Sequence, residues 1–235
     1  AARLLGRIEL AANSPDYQKS VGHFEETIRK SAPLLTNQSD QVQKAARDLL
    51  LDAHLGTALA IAKGTWQQKS RVIPKWIDRS AALVAEVKPE DPDRNQMELQ
   101  LCRGALAVMA GSNDAGETLP WVKRLIKTRE KLDDSVKDDN RRRQIDWEVG
   151  LALSDALTAS LNRGDSSDML DNATLTAAYL ERGAERRQLT DAERREFGDL
   201  LFRIGILHSL QKGDHATAVT WFDKVIPQWD DNPCH

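Results

Sequence analysis

Apolar side chains recur every three to four residues through most of this chain, and that spacing predicts amphipathic helices. Runs that alternate strictly between apolar and polar residues are absent from the sequence, so no β-strand is predicted. Prolines, glycines and short polar clusters divide the pattern into ten helices. These pair into five antiparallel hairpins, at about residues 1–33, 38–88, 92–132, 138–188 and 190–229.

Five glycines stand inside the apolar helical pattern at similar intervals: Gly6, Gly56, Gly104, Gly150 and Gly205. A glycine in the middle of a helix costs about 1 kcal/mol relative to alanine. We therefore predict that another helix passes close to each one. A second set follows where a helix would end and the chain would turn: Gly64, Gly111, Gly164 and Gly213.

Two helix starts carry specific capping signals. Asp91 before Pro92 is typical of an N-cap followed by proline at the first helical position. Thr190 and Glu193 have the spacing of a capping box, in which each side chain accepts a hydrogen bond from the other residue's backbone amide. We expect helices to begin at these two points.

The last hairpin resembles the tetratricopeptide repeat, a helix-turn-helix unit. The residues that carry the resemblance are Leu201, Ile204-Gly205, His208, Gly213-Asp214, Ala218, Phe222 and Val225. The resemblance implies a right-handed superhelix, an α-solenoid, formed by the whole chain as a single domain. HEAT-like repeats are the alternative, because their period of about 40 to 47 residues is closer to the glycine spacing.

In that family the first helix of each pair lines a concave groove. Applied to this chain, the resemblance places Thr57, Leu101, Trp147, Leu151, Phe202 and Ile206 in a groove that binds an apolar or amphipathic segment. Arg3 and Arg7 hold the equivalent places in the first hairpin, one turn apart, and could hold a carboxylate between them. The alternative interpretations are packing between helices for the apolar residues and a solvated face for the arginines.

Charge excludes several partners. The sequence has 33 basic and 36 acidic residues, and they are interleaved, so it offers no broad positive field for nucleic acid. Acidic residues also dilute the arginine-rich stretches at 141–143 and 182–195. The longest apolar stretch, residues 49–62, contains Asp52 and His54, so no membrane insertion is predicted.

Residues for catalysis or metal binding are not suggested by their spacing. The histidines show no i, i+4 pair, and Cys102 and Cys234 form no zinc or disulfide pattern. We therefore expect no cofactor, no metal and no enzymatic activity. The expected function is a non-catalytic scaffold that binds a protein or peptide. The alternatives are an accessory or regulatory domain of a larger enzyme, and a helical protein that binds a small ligand or glycan.

The chain begins with Ala1 inside a helical pattern. We expect it to be a fragment of a longer or processed protein.

Overall fold

The protein is all-helical. Its structure, a computed structural model, describes residues 1–164, 169–185 and 187–229. Helix accounts for 84% of the structure, and no strand occurs among the described residues. These residues form ten α-helices: α1 Ala2–Ala11, α2 Tyr17–Ser31, α3 Asp40–Lys63, α4 Lys69–Ala85, α5 Pro92–Gly111, α6 Leu119–Ser135, α7 Asp139–Asn162, α8 Met169–Ala184, α9 Asp191–Leu207 and α10 His215–Trp229.

The predicted helical class is confirmed. The solenoid arrangement, its handedness and the single repeat domain remain predictions. Residue contacts divide the chain into two compact units, which we call unit 1, Ala1–Leu132, and unit 2, Asp133–His235.

Helix α3 is the centre of unit 1. It packs against α1, α2, α4 and α5, and its C-terminal half is buried on nearly every side. A helix surrounded by neighbours needs apolar residues all round instead of on one stripe. Leu51 and Leu55 of α3 meet Leu101 of α5 in a buried cluster that also contains residues of α4.

Unit 2 consists of two packed pairs, α7 with α8 and α9 with α10, and α8 also contacts α9. Its core joins Trp147 of α7, Leu180 of α8, Phe197 of α9 and Val225 of α10. The ring of Phe197 approaches the edge of the Trp147 ring, with centroids 6.1 Å apart at 82°. Edge-to-face geometry of this kind is favourable for aromatic pairs.

The mid-helix glycines lie at close helix crossings, as predicted. A Cβ atom added at Gly6 or Gly56 would collide with the ring of Phe24, which lies between these two glycines of α1 and α3. At Gly205 an added Cβ would collide with the Phe222 ring of α10. Gly104 and Gly150 face leucine side chains in the same way. Glycine therefore makes room at each site for a large side chain from another helix.

The predicted helix ends are largely confirmed. Asp91 caps α5, with its carboxylate accepting from the amide of Asp93, and the capping box at Thr190 and Glu193 begins α9. Gly213 ends the π-helical turn His208–Lys212 in the left-handed conformation, with φ of 63°, which suits glycine. Helix α8 begins at Met169.

Candidate functional site

Unit 1 contains a polar cleft on its first helices. We use this name for the adjoining cavities of about 510 and 350 Å³ that share Lys44, Asp93 and Met97. The smaller one is formed by α1, α3 and α5, and the larger one extends towards the connection between α4 and α5. The side chains that line the smaller cavity are Arg3, Arg7, Lys44, Asp48, Asp52, Asp93, Gln96, Met97 and Gln100.

Two arginines of α1 bind one carboxylate of α3. The Nε of Arg7 donates to Oδ2 of Asp52 at 3.1 Å, and a second nitrogen of Arg7 donates to Oδ1. The Nε of Arg3 lies 3.7 Å from the same Oδ2. Arg3 and Arg7 thus share a carboxylate of the chain itself, the buried side chain of Asp52. Two positive charges face one negative charge at this end of the cleft.

Another pair crosses from α3 to α5, where Nζ of Lys44 lies 2.5 Å from Oδ2 of Asp93. Asp48 stands one turn after Lys44 and is half-buried. Burial raises the pKa of the Asp48 carboxyl, and nearby Lys44 opposes that rise. Within the described residues Asp48 makes no hydrogen bond or ion pair, in contrast to Asp52 and Asp93.

Sequence reasoning missed the acidic side of this cleft. The signal was present as a polar row on α3, Lys44, Asp48 and Asp52, with the i, i+4 spacing that places side chains on one helix face. Thr57, the groove position that the tetratricopeptide pattern places on α3, lies further along the same helix, where the side chains are buried.

Unit 2 exposes a different surface on its last two helices. Five large apolar side chains stand partly in solvent, and we call them the apolar hairpin surface: Phe202 (41% exposed), Ile206 (37%), Leu210 (79%), Val219 (55%) and Ile226 (53%). Phe202 and Ile206 lie one turn apart on α9, and Leu210 follows in the π-helical turn. Val219 and Ile226 belong to α10.

Aromatic contacts place Phe202 beside one face of α10. The Phe202 ring lies 5.5 Å from that of Phe222 and 5.6 Å from that of Trp229, both on α10. Val219 and Ile226 stand one turn before and one turn after Phe222. The face of α10 that carries them is therefore the face that adjoins Phe202.

Three predicted groove residues are buried, and the structure places none of them on an open surface. Thr57 is enclosed in α3, and its hydroxyl donates to the carbonyl of Ala53 at 2.8 Å. Leu101 lies in the core of unit 1, and Trp147, only 2% exposed, lies in the core of unit 2. The physical reason is that α3, α5 and α7 are buried on several sides, so positions counted from the glycine point into neighbouring helices.

Leu151 is half-buried and packs against the core of unit 2. Phe202 and Ile206 are the predicted apolar groove residues that reach solvent to an appreciable extent. Arg3 and Arg7 lie in the polar cleft, in the other unit. Of the eight predicted residues, two lie in the cleft, two belong to the apolar hairpin surface and four lie in or against the cores.

The arginine-rich stretches form ion pairs. Arg182 lies 3.4 Å from Asp146 and stacks over the Tyr179 ring, while Arg187 pairs with Glu193. Arg142 interacts with the carboxylates of Asp133 and Asp139 and with a backbone carbonyl. Arg186, Cys234 and His235, which were considered in the sequence, lie outside the described residues.

Metal ligands are not clustered in the described part of the chain. Its His, Cys, Asp and Glu side chains form no group of three that could hold a metal ion. None of the helices described is both long enough and apolar enough to cross a membrane. Burial raises the pKa of the Cys102 thiol to about 12, so this side chain is protonated and unreactive at neutral pH.

Comparisons of the chain with protein families, with curated proteins and with solved structures give no match.

Proposed function

We propose that this chain is a non-catalytic scaffold that binds a protein or peptide, and that the partner segment is an amphipathic helix seated on the apolar hairpin surface. The observation that carries the proposal is the cluster of five exposed apolar side chains on α9, α10 and the turn between them. Contiguous exposed apolar patches of this kind mark interaction sites in soluble proteins.

The arrangement of the side chains favours a helical partner. Phe202 and Ile206 form a row along α9, and Val219 and Ile226 form a second row along α10. Two such rows leave a groove that accepts the apolar ridge of a third helix. Aromatic anchors such as Phe202 contribute strongly to binding because they bury a large area with few rotatable bonds.

Similarity to the tetratricopeptide repeat supports the same role. The residues that carry the resemblance pack together in the last hairpin: Leu201, Ile204, Ala218 and Val225 are buried, and Phe222 lies against Gly205. Membership of that family, and a concave solenoid groove, are parts of the proposal.

A selection from a peptide library tests this function. Peptides selected on the wild-type chain should be apolar or amphipathic, and a double variant, Ile206→Glu with Leu210→Glu, should bind them at least about tenfold more weakly. The matched control is Leu175→Glu. Leu175 is another exposed leucine of unit 2, and it lies on the side of α8 opposite the buried Ala173 and Ala177.

Two outcomes would overturn the proposal. Either the selected peptides are acidic and lack an apolar stripe, or the folded double variant binds them as tightly as the Leu175→Glu control does. Circular dichroism of each variant establishes that it is folded before its affinity is compared.

A further inference from the structure

The polar cleft of unit 1 has a charge arrangement that the apolar hairpin surface does not explain. The three basic side chains of its smaller cavity are already engaged: Arg3 and Arg7 with Asp52, and Lys44 with Asp93. Asp48 lies among them, half-buried in the wall of a cavity of about 350 Å³, with no ion pair or hydrogen bond to any described residue. It is the carboxylate that lines this cavity without a hydrogen bond or ion pair in the described chain. Lys44, Arg3 and Arg47 act on it from a longer range and lower its pKa, but burial outweighs them.

We propose that the polar cleft binds a ligand through a cationic group, an ammonium or a guanidinium, that pairs with the carboxylate of Asp48. The step is an association without covalent change. The cation supplies the partner that Asp48 lacks, and a charged pair that is partly removed from water is stronger than one on an open surface.

Neighbouring residues fit such a group. Gln100, which also lines the cavity, is half-buried and carries an amide oxygen that can accept from an ammonium or guanidinium. Met97 lines the same cavity with a nearly buried apolar side chain, against which the methylenes of a lysine or arginine can pack. The volume is large enough for a side chain of that length.

An anionic ligand fits less well. Arg7 holds Asp52 through two nitrogens, and Lys44 is held by Asp93 at 2.5 Å, so an incoming carboxylate would have to displace a carboxylate of the chain. Burial also raises the pKa of Asp48, which shows that this carboxylate is poorly solvated where it stands. A bound cation would stabilise this poorly solvated carboxylate, and a bound anion would repel it.

The cation can come from a side chain of a peptide or from a free amine, and calorimetric titration separates the two sources. The probes are N-acetyl-arginine amide, which has only its side-chain charge, N-acetyl-citrulline amide, its neutral analogue of the same shape, and putrescine as a free diamine. We expect the arginine probe to bind the wild-type chain at least about tenfold more tightly than the citrulline probe. Binding of putrescine alone would assign the same site to free amines.

Variants connect the binding to Asp48. Asp48→Asn should weaken binding of the cationic probe about tenfold, and Asp48→Glu should retain most of it. The control is Asp78→Asn, which removes an exposed carboxylate of α4 that does not line the cleft. Thermal melts of all three variants verify that the fold is intact.

The proposal is wrong if no cationic probe gives saturable binding, if the citrulline probe binds as well as the arginine probe, or if folded Asp48→Asn binds like the control. None of these results bears on the peptides selected by the apolar hairpin surface, so the two proposals fail independently.

Discussion

The two units pack their helices by the same device, and the candidate surface of each has a different chemistry. In unit 1 the ring of Phe24 fits over glycines of α1 and α3, and in unit 2 the ring of Phe222 fits over Gly205 of α9. Beside these crossings, α3 carries a row of charged residues, whereas α9 carries apolar ones at the same spacing. Packing and surface are therefore set by different positions of the same helix.

That separation means that the helical pattern does not specify what each unit binds. The side chains that hold α3 in place lie mostly in its C-terminal half, and the charged row begins in its N-terminal half. The separation is incomplete at Asp52, which belongs to the charged row and is buried in its contact with Arg7. If core and surface positions are separate, core substitutions should change mainly the free energy of unfolding, and surface substitutions should change mainly binding.

The largest expected effect is that of Trp147→Ala. Trp147 is in the core of unit 2 beside Phe197, so its removal should lower the free energy of unfolding by about 3 to 5 kcal/mol. Phe202→Ala should cost less, because that ring is partly exposed. Urea unfolding measures both losses, and hydrogen exchange should localise them to unit 2. If both variants are equally and mildly destabilised, Trp147 is not a core residue.

A second effect concerns pH and unit 1. His54 of α3 is buried against the Trp76 ring, at 5.4 Å, and burial together with nearby Arg79 lowers the pKa of His54 from 6.5 to about 4. The unfolded chain therefore binds more protons between these values, so stability rises with pH across that window. The stability that comes from burying neutral His54 is fully present above pH 6.5, declines as the pH falls and is lost below about pH 4.

The size of this pH effect is on the order of 3 kcal/mol over the full window. It is measured as the difference between the unfolding free energies of the wild type and His54→Phe, which keeps a ring on Trp76 and does not titrate. The difference should change with pH between 4 and 6.5 and be constant above that range. Parallel curves for the two proteins would show that His54 titrates normally.

Two glycine-to-alanine substitutions within unit 1 should change the stability of the chain in opposite directions. Gly56→Ala places a methyl group into the Phe24 ring and should destabilise the chain by about 1 to 3 kcal/mol. Gly22→Ala places the same methyl group into open space on α2 and should stabilise it by up to about 1 kcal/mol. In unit 2, Gly205→Ala should behave like Gly56→Ala. Melting temperatures that shift in the same direction for Gly56→Ala and Gly22→Ala would refute the close crossing.

The helices could be predicted from the sequence because their signals are local. A capping box at Thr190, the Asp91-Pro92 pair and glycines at crossings act through neighbouring residues or through the absence of a side chain. The groove could not be predicted in the same way. Which side of α3 or α7 stays open depends on how many helices surround it, and that number is a property of the whole unit.

Arg3 and Arg7 illustrate the same limit. Their spacing predicted that the two side chains could hold a carboxylate together, but the sequence did not identify Asp52 as a carboxylate between them, since the two helices meet only in the folded unit. Phe202 and Ile206 reach solvent because α9 has no further helix over that face in the described chain. Spacing gives the relative positions of side chains on one helix, while exposure requires the tertiary structure.

The smallest expected effect on stability is at the two surfaces themselves. Ile206→Glu with Leu210→Glu in unit 2 and Asp48→Asn in unit 1 change side chains with appreciable exposure, so each should alter the free energy of unfolding by no more than about 0.5 kcal/mol per position.

The surfaces should nevertheless be distinguishable with the dye ANS, which fluoresces on exposed apolar surface. The double variant should bind less ANS than the wild type, because it places charge where Leu210 is 79% exposed. Asp48→Asn should leave ANS binding unchanged, since it alters no apolar side chain. If Asp48→Asn lowers ANS binding and the double variant does not, the dye is held at the polar cleft, and the contrast between the apolar hairpin surface and the polar cleft is wrong.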